Sequence, residues 1–313
     1  MAFFSFNHDL FYKCAMLYYL RAVISLLFYT VNTIFWFIPI VIAGVLKLLP
    51  LKPWQSMWSA FAKWCASRWV GTNSVIQHIF TPTKIVVTGD SDFTYKDWYL
   101  VVANHQSWVD IMVLQRVLHK KIPFLNFFLK KELIYVPFLG LAWWALDFPF
   151  MKRASKSQLK KNPSLRNKDM QTTKKACEKF KHVPVSIVNF VEGTRFTQDK
   201  HTRQKSQFDN LLKPKAGGVA FVMEAMGEQL NKLVDITICY PQQTPSFFDY
   251  LAGKVPEIRV HIEVKLITES WIGSYSNDSD FRVQFQQEMN ALWLGKDQQL
   301  SHLKQQQEEE MSC

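Results

Sequence analysis

The sequence predicts an α/β fold, with a central mixed sheet covered by helices and an N-terminal helical segment that is embedded in a membrane or lies at its interface. Short β-branched runs alternate with stretches of helical periodicity between residues 84 and 266, which is the pattern of an α/β domain. Residues 22–46 contain no charged side chain, as in a helix inside a bilayer. At 313 residues and 48% apolar side chains, the chain has enough material for one core and a further segment.

The uncharged run 22–46 is the first predicted element. Arg21 and Lys47 bracket it, and its length suits a helix that crosses a bilayer, although Pro39 and four polar residues interrupt it. A signal peptide and a buried core helix are the alternatives, but the run is too long for a signal core and no small-residue cleavage site follows. We therefore predict membrane insertion, and the sequence leaves open whether the helix spans the bilayer or re-enters it.

A second helix is predicted just beyond this run. Aromatic and apolar side chains recur there at helical spacing, as in a helix that lies among lipid headgroups. They are Trp54, Met57, Trp58, Phe61, Trp64 and Cys65. A soluble amphipathic helix is the alternative, and the three tryptophans on one stripe favour the interface.

Most of the formal net charge of +11 lies in one segment. Residues 152–181 contain eleven Lys and Arg against two acids, Asp169 and Glu178. Such a segment attracts nucleic acid, anionic lipid headgroups or phosphorylated substrates. No zinc-finger, RNP or helix-turn-helix pattern accompanies it, so we predict lipid headgroups and no nucleic acid. A solvated loop and helix face remains the alternative.

The cysteines indicate a reducing compartment. There are five, an odd number, and they are widely spaced without a C-x-x-C pair, which argues against a disulfide framework and against a zinc site. Since no histidine pair has metal-ligand spacing either, we predict no bound metal.

Five strands follow from the β-branched runs, at residues 84–88, 99–103, 185–191, 234–240 and 258–266. Helical patterns lie between them, at 108–118, 168–181 and 217–230. The glutamine- and glutamate-rich stretch 298–310 predicts a solvated helix or a frayed tail without an assigned function.

One histidine has an aspartate five positions after it, directly behind the second predicted strand. His105 and Asp110 are too far apart in sequence to meet on one straight helix, where neighbouring side chains are three or four positions apart. The stretch from Ser107 to Asp110 matches a capping box, which supplies the necessary bend. The alternative is that Asp110 only caps a helix. Both roles are compatible, since a capping carboxylate can also orient an imidazole and leave its other nitrogen as a base.

A second polar cluster follows the third predicted strand. Glu192, Gly193, Thr194 and Arg195 form a turn that presents an acid, a hydroxyl and a guanidinium. The planar fork of arginine suits phosphate oxygens. A charged surface turn with a local ion pair is the alternative.

In these two clusters, the chain resembles the glycerolipid acyltransferase family, which includes lysophosphatidic acid acyltransferases. Its first block, N-H-x-S-x-x-D, matches residues 104–110, and its third, F-P-E-G-T-R, matches residues 190–195 with Val191 in place of proline. The second block resembles residues 148–153, with Arg153 as the matching arginine, and the fourth resembles residues 235–241. The fourth block is most similar to the lysocardiolipin and bacterial inner-membrane branch.

The resemblance implies roles for these residues. His105 is the implied general base and Asp110 orients it. The implied substrate-binding residues are Arg153, Glu192, Gly193, Thr194, Arg195 and Lys215. An acyl-CoA or an acyl carrier protein is the implied acyl donor, and no cofactor is expected.

The implied reaction is transfer of a fatty acyl group to a lysophospholipid, 1-acylglycerol-3-phosphate giving phosphatidic acid. Alternatives are another acceptor, such as a lysocardiolipin- or lysophosphatidylglycerol-like lipid, and a membrane-associated hydrolase that uses the same His and Asp. No G-x-S-x-G elbow is present, which ranks the hydrolase lower. A non-catalytic scaffold and a nucleic-acid binder are further alternatives.

The organisation expected from these features has three parts. Residues 1–70 form a membrane-associating helical region, residues 71–285 an acyltransferase catalytic domain, and residues 286–313 a C-terminal polar helix or tail. Three lysines after the apolar run against two basic residues before it place the catalytic part on the cytoplasmic side, and the resemblance suggests a bacterial inner membrane.

Overall fold

The computed structural model describes residues 2–151, 171, 174, 177–180 and 183–312. Its eight strands are β1 Lys84–Gly89, β2 Tyr99–Ala103, β3 Leu125–Phe127, β4 Leu129–Lys130, β5 Phe150–Met151, β6 Ser186–Phe190, β7 Lys232–Cys239 and β8 Glu257–Leu266. Six of them form one sheet in the order β1-β8-β7-β2-β6-β3, and β4 and β5 pair separately. All pairs in the large sheet are parallel except β7 with β8. The predicted mixed sheet is therefore confirmed.

The five predicted strands are all present, with small shifts at their ends. Strand β2 has the predicted bounds, whereas β7 begins at Lys232 and ends at Cys239, one residue before Tyr240. Strands β3, β4 and β5 are not predicted, because two or three residues are too few to show alternation.

Eight α-helices accompany the strands in the described part of the chain. They are α1 Ala2–Leu46, α2 Lys52–Phe80, α3 Val109–Leu118, α4 Leu139–Ala145, α5 Gln198–Gln204, α6 Ala216–Met226, α7 Phe247–Leu251 and α8 Ser279–Ser312. Helix α6 ends four residues earlier than predicted, with the backbone N–H of Gly227 bonded to the carbonyl of Met223. Most of the helix predicted over 168–181, and most of the basic segment 152–181, lie outside the described residues.

The sheet lies between two helical layers because its strands alternate their side chains between the two faces. Along β7, Val234, Ile236 and Ile238 join the core shared with α3 and α7. Leu233 and Cys239 join the core on the opposite face, shared with α6 and α8. This alternation decides which side chains reach α3, whose first turn carries part of the site.

Helices α1 and α2 form an antiparallel hairpin. Contacts pair the start of one helix with the end of the other: the Trp54 indole donates to the Leu46 carbonyl at one end, and Phe28 stacks on Phe80 at the other. Between them the Asn32 amide donates to the Asn73 side chain at 2.8 Å inside the hairpin. Helix α1 contains one stretch, Ala15–Leu46, that is long and apolar enough to cross a membrane.

The four polar residues that interrupt the predicted apolar run each form a hydrogen bond within the protein. The Ser25 hydroxyl donates to the Leu251 carbonyl of α7, and the Thr30 and Thr33 hydroxyls donate to carbonyls four residues earlier in α1. Because none of these hydroxyls depends on water, they are compatible with an apolar environment around the helix.

The C-terminal helix α8 crosses the predicted boundary at residue 286. Phe285, Met289 and Trp293 are fully buried against the sheet layer, and burial continues to Leu300 and Leu303. Of the two alternatives predicted for residues 298–310, a helix is present, but the prediction that it is solvated is wrong at Leu300 and Leu303. The buried face of this segment continues the apolar spacing of the residues before it. The glutamine-rich composition of the segment does not indicate that face.

Helix α8 also holds a loop that leads to the site. The Asp297 carboxylate accepts hydrogen bonds from the backbone N–H groups of Asp209 and Asn210, both at 2.8 Å. The Trp293 indole donates to the carbonyl of Leu212 at 3.1 Å. Residues 209–212 are thus fixed from the C-terminal helix.

Candidate active site

The two predicted motifs lie side by side at the carboxyl edge of the sheet. Strand β2 leads to His105, β6 leads to Glu192, and β7 leads to Tyr240. Because β2 lies between β6 and β7 and is parallel to both, all three exits meet at one edge. The backbone N–H of Phe196 donates to the His105 carbonyl at 2.7 Å, which joins the two loops directly.

His105 and Asp110 form a hydrogen-bonded pair. Nδ1 of His105 lies 2.8 Å from Oδ2 of Asp110, which is fully buried. A carboxylate can only accept, so Nδ1 carries the proton and Nε2 presents its lone pair. The imidazole stacks on Phe190, with ring centroids 4.0 Å apart, and its side chain is 13% exposed. The ring is therefore held on one face and reachable from outside.

The bend between these two residues differs from the predicted capping box. Helix α3 begins at Val109, and the Ser107 hydroxyl accepts from the Val109 N–H and donates to the Pro245 carbonyl. The Asp110 carboxylate does reach back, accepting from the backbone N–H groups of Gln106 at 2.6 Å and of Ser107 at 2.9 Å. One half of the predicted box is present, and the serine instead ties the turn to the loop after β7.

Asn104 connects the motif to the neighbouring strand. Its amide group donates to the carbonyl of Ile238 at 2.9 Å and accepts from the N–H of the same residue at 2.8 Å. The side chain thus continues the pairing of β2 with β7 past the end of β2. Tyr240, two residues further, donates its hydroxyl proton to Oδ1 of Asp110 at 2.5 Å.

Glu192, a predicted substrate-binding residue, lies inside the protein next to the His105 loop. It is fully buried, and its two oxygens accept the backbone N–H groups of His105 at 2.8 Å and of Leu212 at 3.0 Å. Burial raises the pKa of its carboxyl to about 7, and the charge of Asp110 adds to that effect. With its two oxygens engaged by the backbone of His105 and of Leu212, this acid positions the His105 loop.

Three cationic side chains surround the turn after β6. The Arg195 guanidinium lies over the Trp108 ring, 4.9 Å from its centroid. The Lys200 ammonium donates to the Thr194 hydroxyl at 2.9 Å and to the Arg195 carbonyl at 2.8 Å. The Lys215 side chain lies against Gly193, whose missing Cβ leaves the space for it. The turn therefore forms a positive rim next to His105.

Gly193 is required in this turn for its conformation as well as for its size. Its φ is +66°, in the left-handed region that glycine adopts without strain. An added Cβ would lie 3.1 Å from both Cδ and Nζ of Lys215. Arg153, the remaining predicted substrate-binding residue, lies outside the described residues.

Three residues of the site are missing from the prediction: Trp108, Lys200 and Tyr240. Trp108 stands inside the first motif and is more than half exposed, which is unusual for a tryptophan and is explained by its stacking with Arg195. Lys200 had a local signal, since it follows the motif turn at the start of α5. Tyr240 lies in the fourth block of the resemblance, but only the fold brings it to Asp110, which is distant along the chain.

Within the described part of the chain, no group of three His, Cys, Asp or Glu side chains is arranged to hold a metal ion. The acid-base pair and the positive rim are what this edge offers for chemistry. Together they suit deprotonation of a neutral group on an anionic molecule.

A family model described as Acyltransferase matches residues 84–241, about half of the chain. The chain belongs to this acyltransferase family. Lysocardiolipin acyltransferase 1 of Danio rerio is 24% identical over 79% of the chain and 64% of that protein. The probable 1-acyl-sn-glycerol-3-phosphate acyltransferase 5 of Arabidopsis thaliana is 26% identical over 63% of the chain and 52% of that protein. The chain spans about three fifths of the length of the curated relatives it matches.

The matched region contains both motifs, so the resemblance to glycerolipid acyltransferases is confirmed. A solved structure, the 1-acyl-sn-glycerophosphate acyltransferase of Thermotoga maritima, aligns over 91% of this chain and 98% of its own, with 16% identity and a TM-score of 0.47.

Proposed function

We propose that this protein transfers a fatty acyl group from an acyl thioester to the free hydroxyl of a lysophospholipid, with 1-acylglycerol-3-phosphate as acceptor and phosphatidic acid as product. The observation that carries the proposal is the His105–Asp110 pair, 2.8 Å apart, beside a turn lined by Arg195, Lys200 and Lys215. A base next to an anion-binding rim matches an acceptor that carries a hydroxyl and a phosphate.

The proposed reaction needs one base and no covalent enzyme intermediate. Nε2 of His105 takes the proton of the acceptor hydroxyl, while the hydroxyl oxygen forms a bond to the thioester carbonyl carbon. The C–S bond then breaks and the sulfur leaves as a thiolate, which takes up the proton from His105. Asp110 stabilises the imidazolium between these steps.

The positive rim contributes by holding the acceptor phosphate. The Arg195 guanidinium lies over the Trp108 ring, and its fork of N–H donors suits bidentate bonds to phosphate oxygens. Fixing the phosphate restricts the glycerol hydroxyl to the neighbourhood of Nε2, which makes its attack effectively unimolecular. Glu192 enters this proposal as a positioning residue, and Arg153 stays a predicted phosphate contact.

The hairpin supplies the proposed membrane attachment. Apolar side chains cover its outward surface, among them Leu27, Val31, Phe35, Ile38 and Ile42, which are all about half exposed. Helix α1 contacts the sheet domain along its length, from α7 near Ser25 to the loop after α4, where Lys47 pairs with Asp147. These contacts are about 33 Å apart on the helix. A helix flanked by the domain over that length fits the plane of the interface better than a perpendicular span.

The donor and the membrane are also part of the proposal. The donor is an acyl-CoA or an acyl carrier protein, and anionic headgroups contact the basic segment 152–181. The membrane is a bacterial inner membrane, which rests on the family resemblance, and the site is on its cytoplasmic side, which rests on the charge distribution around the apolar run. The relatives named above come from a vertebrate and a plant, so the bacterial origin stays a prediction.

A lysocardiolipin-like acceptor is the second candidate, because relatives named lysocardiolipin acyltransferase 1 align over 70–79% of this chain. Its headgroup also carries phosphate, so the same rim serves both acceptors. A panel of lysophospholipids offered in equal amounts to the purified protein decides between them.

The test of the proposed chemistry is His105→Ala, with His119→Ala as the matched control. His119 is a half-buried histidine at the end of α3 that contacts Ser67. Each purified protein, in vesicles, is supplied with the acceptor and with an acyl-CoA or acyl carrier protein that has a labelled acyl group. We expect the His105 variant to lose about 10²- to 10⁴-fold in transfer, the range for removing a general base, and to keep its membrane association.

Transfer by the His105 variant at the rate of the control would contradict the proposal. A wild-type enzyme that releases free fatty acid at the same rate with and without acceptor would instead indicate the hydrolase.

A further inference from the structure

We infer that Tyr240 is a positioning residue for the His105–Asp110 pair, and that its hydroxyl fixes the orientation and moderates the charge of the Asp110 carboxylate. The inference rests on the proposed function, since Tyr240 matters for the reaction only if His105 removes a proton. It goes further by adding a third member, from a different strand, to the acid-base pair.

The fold brings Tyr240 to Asp110 through the alternation of β7. Side chains at positions 236, 238 and 240 face the layer that contains α3, and Asp110 lies in the first turn of α3. The two hydrogen bonds between Asn104 and the backbone of Ile238 fix this register directly beside the end of β2. A shift of one residue would turn Tyr240 to the opposite face.

The hydrogen bonds of Asp110 show what Tyr240 contributes. Oδ2 accepts from Nδ1 of His105 and from the backbone N–H groups of Gln106 and Ser107. Oδ1 accepts from the Tyr240 hydroxyl at 2.5 Å. Asp110 is fully buried, so loss of the tyrosine hydroxyl leaves a buried carboxylate oxygen without this donor. The carboxylate is then held by the hydrogen bonds to Oδ2, while Oδ1 has lost the bond from Tyr240.

Tyr240 acts as a neutral donor. Burial raises the pKa of its hydroxyl well above the ordinary value, and the negative charge of Asp110 raises it further. The titratable groups facing the His105 loop are Asp110 from α3, Glu192 from the end of β6, and Tyr240 from β7. By donating to Asp110, Tyr240 disperses the carboxylate charge that stabilises the imidazolium.

Removing the Tyr240 hydroxyl is therefore expected to shift the pH profile of kcat/KM in one direction. A less dispersed charge on Asp110 stabilises the imidazolium form of His105 relative to the neutral base. Since the base must be neutral, the acid limb of the pH profile of kcat/KM moves to higher pH. Glu192, whose carboxyl pKa is raised to about 7, is present in every protein compared, so its titration does not account for a difference between them.

The experiment compares Tyr240→Phe with Tyr250→Phe. Tyr250 is fully buried and donates to the Gln77 side chain at 3.0 Å, so each variant loses one hydrogen bond of a buried tyrosine. We expect Tyr240→Phe to lower kcat/KM by about 10- to 100-fold, the range for a hydrogen bond to a charged group, and to shift the acid limb upward. We expect Tyr250→Phe to lower thermal stability without moving the acid limb.

Replacing Tyr240 by 3-fluorotyrosine gives a second measurement with the fold retained. The more acidic phenol is a stronger donor, so the acid limb is expected to move to lower pH. An unmoved acid limb in both replacements, or an activity of Tyr240→Phe within twofold of wild type, would overturn the inference. If His105→Ala stays active, the proposed function itself fails; if it is inactive while Tyr240→Phe behaves as wild type, only the role of Tyr240 fails.

Discussion

The hairpin of α1 and α2 and the carboxyl edge of the sheet distribute polar and apolar groups in opposite ways. On the hairpin, Val31 and Phe35 are 56% and 63% exposed, while Asn32 is turned inward to Asn73. At the sheet edge, Asp110 and Glu192 are fully buried, and each of their oxygens accepts at least one hydrogen bond. An outward apolar surface suits hydrocarbon, whereas buried charges need donors from the protein.

The difference teaches that attachment and chemistry use separate sets of side chains. Exposed apolar side chains on the hairpin have little influence on the hydrogen bonds of Asp110, which come from the loop after β2 and from β7. Substitutions in one region are therefore expected to leave the measured property of the other region unchanged.

The largest expected effect comes from charging the hairpin. We expect the double variant Val31→Asp, Phe35→Asp to leave the membrane fraction, because one aspartate in the apolar layer costs about 2.5–3.5 kcal/mol. Sedimentation with vesicles measures the bound fraction. Turnover of a short-chain, water-soluble acceptor is expected to persist in the released protein.

Val283→Asp with Leu294→Asp is the matched control, since both side chains are more than half exposed on α8. Equal release of the two double variants would break the comparison, as the hairpin surface would then be no different from the rest of the exposed apolar surface.

The hairpin and the site also differ in how far the sequence predicts them. The uncharged run 22–46 and the motifs around His105 and Glu192 are local patterns, so the sequence is sufficient to locate them. The pairing of Tyr240 with Asp110 depends on strand order, on alternation and on the contact of Asn104 with Ile238, and none of these is encoded locally.

Glu192 is a residue whose position follows from the sequence but whose role does not. Its motif predicts a polar group at the site, and the structure places it there. Its role depends on burial, which comes from the loop at Leu212 and from α8 behind that loop. The residue type and its spacing in the sequence do not distinguish a buried acid from an acid that contacts a ligand, because either can occur directly after the end of a strand.

Replacing Glu192 sharpens the comparison inside the site. In Glu192→Gln, the amide N–H₂ faces the backbone N–H of His105 or of Leu212, so one hydrogen bond is lost and two donors oppose each other. We expect kcat to fall about tenfold while KM for the acceptor stays unchanged, as measured by steady-state kinetics. A raised KM with unchanged kcat would return Glu192 to the substrate-binding set.

Glu224→Gln is the control, because Glu224 is a carboxylate that accepts from the N–H and hydroxyl of Ser276 away from the site. Stability gives a second readout. The pKa of Glu192 is raised from 4.5 to about 7, so its contribution to stability is present below pH 4.5 and is lost as the pH rises through 7. The variant is expected to lack this decline, whereas the control keeps it.

The smallest expected effect is that of replacing Trp108, compared with replacing Arg195, the guanidinium over its ring. Arg195→Ala removes the guanidinium, so we expect KM for a phosphate-bearing acceptor to rise at least tenfold, with a weaker effect on a neutral acceptor. Trp108→Leu removes only the ring under it, and a cation-π contact of about 0.5–1 kcal/mol predicts a rise of roughly two- to fivefold. Steady-state kinetics with the phosphate-bearing and the neutral acceptor measure which variant raises KM more. An equal loss on the neutral acceptor would mean that Arg195 supports the His105 loop, and the rim would then belong with Asp110 and Glu192 as structural support.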